Sequence, residues 1–225
     1  MKLSPQETIN MSDEIFLVGN SWSIPCDEAP IPAFNLLGLK NRWEVPGITL
    51  DAQAEYIIDQ GLVNKFKVIW LIGHHHRVDP RGDGSYLLPY PWGNLDKYGN
   101  LVRDLWFKKL TKMPWYERIN ALFLKAVLGD ANRDNLLLIP IYRPNTLAHI
   151  WFTGHPCIWD FYLRDFAKKE NNLGVQGHMN QHGHNKLAPI LASEIYDRWK
   201  ITLKMAGPTQ LKSDLMSQSP DERVI

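Results

Sequence analysis

Cysteine is nearly absent from this chain of 225 residues: only Cys26 and Cys157 occur, far apart in sequence. Two such thiols form no disulfide framework, so a small stapled scaffold is excluded and both are expected reduced. Net charge is nearly absent as well, at +1. Composition therefore gives no ground for a nucleic-acid partner or an anionic membrane surface. No apolar run approaches the roughly 18 residues that a membrane span needs. The opening residues, MKLSPQETINMSDE, lack the apolar core of a secretory signal, and a cytoplasmic location is the expectation. There is no internal repeat, no low-complexity segment, and no Gly-rich phosphate loop of the P-loop or dinucleotide type.

What is present is ordinary for a globular protein: 44% hydrophobic and 22% charged residues. The length favours one domain over two. A chain of this size buries roughly 70% of its unfolded surface and needs neither disulfide nor metal to fold. One domain over residues 1–205 is expected, with a polar, frayed tail over 206–225. Nine Trp and eight Tyr are many; beyond the core, such side chains suit the walls of a pocket for a flat or sugar-like ligand.

Short apolar runs mark strands at residues 14–18 (EIFLV), 66–72 (FKVIWLI) and 135–141 (NLLLIPI), with a further short strand at 148–152, and 42–45 (RWEV), closed by Pro46-Gly47, reads as a second strand. Between them, Thr49 is placed to cap a helix over 50–60, where Leu50, Ala54, Ile57 and Ile58 form a stripe at helical spacing. Helical patterns also cover 101–112, 115–128, 158–169 and 185–203. Residues 77–100, dense in Gly, Pro, Asp and Tyr, read as a long surface excursion. Strands alternating with helices predict an α/β fold, a flavodoxin-like three-layer sandwich of four or five parallel strands with helices on both faces. Ligands of such sheets bind outside the carboxyl ends of the strands. The turns there carry Gly19-Asn20-Ser21, Pro46-Gly47 and Gly73-His74-His75-His76, so these three should border one crevice.

A serine directly after a buried strand stands at the mouth of that crevice, with its own N–H available to an oxyanion. His178, in the Gly-rich loop GVQGHMNQHGHNKLA over 174–188, is a residue type that can take the hydroxyl proton near neutral pH. Ser21 after the first strand, Gly47 after the second, Gly73-His74-His75 after the third and His178-Met179-Asn180 followed by Gly183-His184 together resemble the SGNH (GDSL-like) hydrolase family, from about Glu14 to Lys200. The resemblance implies that Ser21 is the nucleophile and His178 its base. It also implies oxyanion donors at Ser21, Gly47 and His75, the last standing where the family has Asn. The implied substrate is an ester-linked acyl group on a small molecule, glycan or lipid, and the implied chemistry needs no cofactor. Trp22, His74, His76 and Arg77 are candidates for substrate contact.

Two further departures from the family pattern stand beside that of His75. Asn20 replaces the Asp that precedes the family nucleophile. Near His178, Val175 or Gln176 stands where the family has its Asp, and neither carries charge; the Gln176 amide oxygen could orient the imidazole, with Asp79, Asp83 or Asp160 as alternative carboxylates. A second reading uses the histidines as metal ligands. His74 and His76, with His178, His182 and His184, would hold a hydrolytic zinc ion, although their spacing matches no zinc signature. A third reading, motivated by the missing carboxylate, is a non-catalytic binding or structural domain of the same fold.

Overall fold

The computed structural model describes residues 11–73, 133–142, 159, 162–169, 172–174, 177–203 and 205. Four parallel strands, β1 (Ile15–Gly19), β2 (Asn41–Glu44), β3 (Lys67–Ile72) and β4 (Leu136–Pro140), form one sheet in the order β2-β1-β3-β4. The register sets Val18 between Trp43 and Trp70, and Trp70 beside Leu138. All four strands fall on the segments expected of them. The expected helices at 101–112 and 115–128, the strand at 148–152, the excursion at 77–100 and the tail lie outside the described residues.

Alternate strand residues point to opposite faces, and the buried residues divide accordingly. On one face Ile15, Leu17, Ile69, Leu71, Leu137 and Ile139 pack against α1 (Ala33–Leu36), α4 (Leu163–Lys169) and α5 (Gln181–Trp199). On the other, Val18, Val68, Trp70, Ile72, Leu136 and Leu138 pack against α2 (Leu50–Asp59) and α3 (Leu62–Lys65). Burial on both faces is why β3 and β4 read as unbroken hydrophobic runs rather than alternating ones. The result is the expected three-layer α/β arrangement, in the first four positions of the flavodoxin-like order.

Local signals explain the helix limits. Thr49 caps α2, its hydroxyl oxygen accepting from the Ala52 N–H at 3.4 Å. Helix α5 starts a turn earlier than the apolar pattern over 185–203 suggests. Asn180 is its N-cap and accepts from the Gly183 N–H at 2.9 Å, so Gly183 and His184 belong to the first turn. Lys200, in the left-handed conformation, ends it. The helical pattern over 158–169 also starts too early. The Trp159 N–H donates to the Leu138 carbonyl at 2.9 Å, beside β4, and α4 begins only at Leu163.

The chain leaves β1 towards β2 on one side and returns as β3 on the other. The loops after β1 and β3 therefore part company at this point in the sheet, the place where doubly wound folds open a crevice. Ser21 is two residues beyond the end of β1.

Candidate active site

The turn that carries Ser21 is built on its two predecessors. A Cβ at Gly19 would lie 2.2 Å from Ser23 Oγ and 2.9 Å from Glu44 Cγ, so only glycine lets the chain fold back over the strand end. Asn20 is buried and all its polar groups are engaged. Its N–H donates to Ser23 Oγ at 3.2 Å, and its carbonyl accepts from the Ser23 N–H at 2.9 Å and hydroxyl at 2.8 Å. Its side-chain oxygen accepts from the Trp22 N–H at 3.0 Å, while Nδ2 donates to the Leu71 carbonyl at 3.1 Å. Gln53, reaching over from α2, donates to that same carbonyl at 3.2 Å and to the Gly19 carbonyl at 3.1 Å, and accepts from Trp70 Nε1 at 3.0 Å.

These two amides satisfy strand-end carbonyls where β1 and β3 diverge, as buried polar groups require. The Asn20 side chain must be an amide to do this, since a carboxylate has no N–H for Leu71. Beside the turn, burial raises the Glu44 carboxyl above the usual range, with the Ser23 hydroxyl and Arg42 guanidinium pulling it back. Gly73, closing β3, sits close enough that a Cβ there would lie 3.2 Å from Asn20 Nδ2. Among the described residues the N–H groups of Asn20, Trp22 and Ser23 all have acceptors. The N–H of Ser21, between them, has none among those residues.

His178 arrives from a small hairpin. Leu173 and Met179 form an antiparallel bridge, the Gly174 N–H donates to the His178 carbonyl at 2.8 Å, and the Gly177 N–H returns to the Gly174 carbonyl at 3.0 Å. Gly177 turns the chain at φ 76°, a conformation glycine adopts without penalty. The outcome is a separation of 3.0 Å between His178 Nε2 and Ser21 Oγ, across 157 positions of sequence. The Trp22 ring meets the imidazole edge-on, centroids 5.9 Å apart, and also meets Tyr142 at 6.1 Å.

Comparison with protein-family models, with curated proteins and with solved structures finds no match.

The other expected residues divide. Gly47 lies in the turn after β2, at the end of the sheet where Ser21 stands, with φ 73° and the turn closed from Ile48 N–H to the Val45 carbonyl at 3.3 Å. Its N–H has no acceptor among the described residues. His74, His75, His76, Arg77 and Gln176 lie outside the described residues, as do Asp79, Asp83 and Asp160.

His182 is exposed on α5, and His184 turns the other way, into the core. Its Nδ1 accepts from the Ala33 N–H at 3.2 Å. Burial pushes its pKa down to about 4, opposed by a hydrogen bond with the Met179 backbone and helped by His178. His184 is therefore neutral near pH 7, with Nδ1 unprotonated. Of the histidines grouped as metal ligands, His178 and His184 thus face different partners. Among the described residues no three His, Cys, Asp or Glu gather to hold a metal ion.

Sequence reasoning missed Gln53 and Gln181. Nothing in a single sequence distinguishes a buried amide on a helix from a solvated one. The signal that existed was Asn180 three residues before Gly183, an N-cap spacing that places His184 one turn inside a helix.

Proposed function

We propose that this protein is a serine hydrolase of the SGNH-like type, cleaving or transferring an ester-linked acyl group of a small molecule, glycan or lipid. The observation that carries the reading is the 3.0 Å approach of His178 Nε2 to Ser21 Oγ, within the range for a nucleophile and its base. It occurs at the carboxyl end of β1, beside a Ser21 N–H that has no acceptor among the described residues.

In this reading Ser21 Oγ attacks the ester carbonyl carbon as its proton passes to His178 Nε2. The carbonyl π pair moves onto oxygen, and the N–H groups of Ser21 and Gly47, joined by His75, receive that negative charge. Collapse expels the alcohol, which takes the proton from His178, and leaves the acyl group on Ser21. A water or acceptor alcohol then gives a proton to His178 and attacks the acyl carbon; the bond from that carbon to Ser21 Oγ breaks, and His178 returns the proton to the serine oxygen. Trp22, edge-on to the imidazole, walls the site. Gln176 is the residue assigned to orient the imidazole in place of a carboxylate. In a serine protease triad, replacing that carboxylate by an amide lowers the rate about 10⁴-fold, so turnover slower than in carboxylate-bearing triads is expected.

The test is covalent labelling with a fluorophosphonate probe, run on wild type beside Ser21→Ala and His178→Ala. Wild type should label, Ser21→Ala should not, and His178→Ala should label at least about 10²-fold more slowly. Equal labelling of all three would remove the nucleophile.

A further inference from the structure

Ser21 belongs to the end of the sheet and His178 to a hairpin, so something must hold the two at bonding distance. We infer that Gln181 and His184 are positioning residues for the Ser21–His178 pair, acting as a bracket between the segment that follows Ser21 and the helix that follows His178. The inference rests on the Ser–His reading of the site.

Four hydrogen bonds make the bracket. The Gln181 N–H donates to the Glu28 carbonyl at 2.9 Å. The Gln181 side chain pairs with the backbone of Ile31 in both directions, Nε2 donating to its carbonyl at 2.8 Å and Oε1 accepting from its N–H at 2.9 Å. One turn on, His184 Nδ1 accepts from the Ala33 N–H at 3.2 Å. An amide bonded at both ends to the backbone of one residue permits little sliding or rotation, and a buried imidazole three residues further along the helix removes what remains. Gln181 is three residues from His178, and its own geometry is fixed by a bond from Nε2 to Asn185 Oδ1 at 2.9 Å.

The segment it grips is itself short and closed. Cys26 and Ala29 bond to each other in both directions, at 3.1 and 3.0 Å. On the other limb, the Asn180 N–H donates to the Asn172 carbonyl at 2.7 Å, and Gly183 is packed so tightly that a Cβ would lie 2.3 Å from Met179 Cγ. Each limb is stiff alone; the bracket sets one against the other. A misplacement of about 1 Å between reacting groups can lower a rate about 10²-fold. Loss of the bracket should therefore appear in kcat and leave substrate binding unchanged.

The experiment measures kcat and KM for hydrolysis of a short p-nitrophenyl ester, with the rate of fluorophosphonate labelling, in four variants. Gln181→Ala, at a half-buried position in a first helical turn, should lower kcat and labelling about 10²-fold with KM within roughly twofold of wild type. His184→Leu should do likewise. His184→Asn, whose Oδ1 can stand where Nδ1 stands and accept from Ala33, should recover most of the rate, and Gln181→Leu should behave as Gln181→Ala. Thermal melts show the folded fraction, and rates are compared per folded molecule. Should His184→Leu not fold, the Gln181 variants decide alone. Wild-type kcat in Gln181→Ala, or equal losses in His184→Leu and His184→Asn, overturns the bracket while a labelled wild type leaves the Ser–His reading standing. A wild type that neither labels nor hydrolyses the ester overturns both.

Discussion

The two loops that meet at the candidate site are held by opposite means. The Ser21 turn is tied to the sheet: Asn20 and Gln53 bond to the strand-end carbonyls of Gly19 and Leu71, and Gly19, ending β1, and Gly73, just after β3, admit the close approach. The backbone hydrogen bonds of the His178 hairpin run within it, from Gly174 to His178, Gly177 to Gly174 and Asn180 to Asn172. Its position comes from α5, through Asn180, Gln181 and His184. The nucleophile is thus fixed by the core, and the base by a helix end that leans on one segment of chain. Disturbing the first should damage the fold, whereas disturbing the second should damage the alignment.

That contrast can be broken in graded ways. The largest effect is expected from Ser21→Ala, a removal of one oxygen at a partly exposed position: ester hydrolysis should fall at least about 10³-fold while the melting temperature stays within a few degrees. A variant that keeps its activity would detach the chemistry from this turn. Next comes Asn20→Asp, which deletes the donor to Leu71 and places a carboxylate where the residue is 2% exposed. Denaturant unfolding should register a loss of about 2–4 kcal/mol; a change below about 0.5 kcal/mol would mean the sheet does not hold the turn as described.

A pH series sharpens the other side. His184 is held at about 4 when folded against an ordinary 6.5, so between these values the unfolded chain binds the extra proton and stability must rise with pH. The contribution is complete above about 6.5 and is lost as pH falls through about 4. The gap corresponds to about 3 kcal/mol. Urea midpoints of wild type should fall across this window more steeply than those of His184→Asn, and parallel curves would show that the imidazole is not buried neutral. The smallest effect is expected from Asn180→Ala, which removes the N-cap of α5 and should lower stability by about 1 kcal/mol. No loss of stability would show that the helix end is held by Gln181 and His184 without the cap.

Much of the architecture was legible because β3 and β4 are buried on both faces. Runs such as Lys67–Ile72 and Leu136–Pro140 carry their identity in composition alone. Ser21, two residues after Gly19, and His178, directly after Gly177, stand out in the sequence because each sits where the chain changes direction. Helix α5 was placed a turn late because Gly183, His184 and Pro189 weaken an apolar pattern that the Asn180 cap overrides. The amide network around Leu71 was not legible at all. Gln53 and Asn20 are ordinary polar letters until the divergence of β1 and β3 leaves a carbonyl between them.

The bracket also has a lopsided composition. In the four bonds of the bracket the 28–33 limb offers peptide groups, whereas the 178–184 limb offers one peptide N–H, a side-chain amide and an imidazole. Side chains at Ile31 and Ala33 are free to drift as far as packing allows, provided neither becomes proline; Pro30 and Pro32, on either side of Ile31, stand where the bracket asks for no N–H. Diverged descendants of such a chain would keep a readable signature after the base and lose it after the nucleophile, so kinship is better sought from the helix than from the serine.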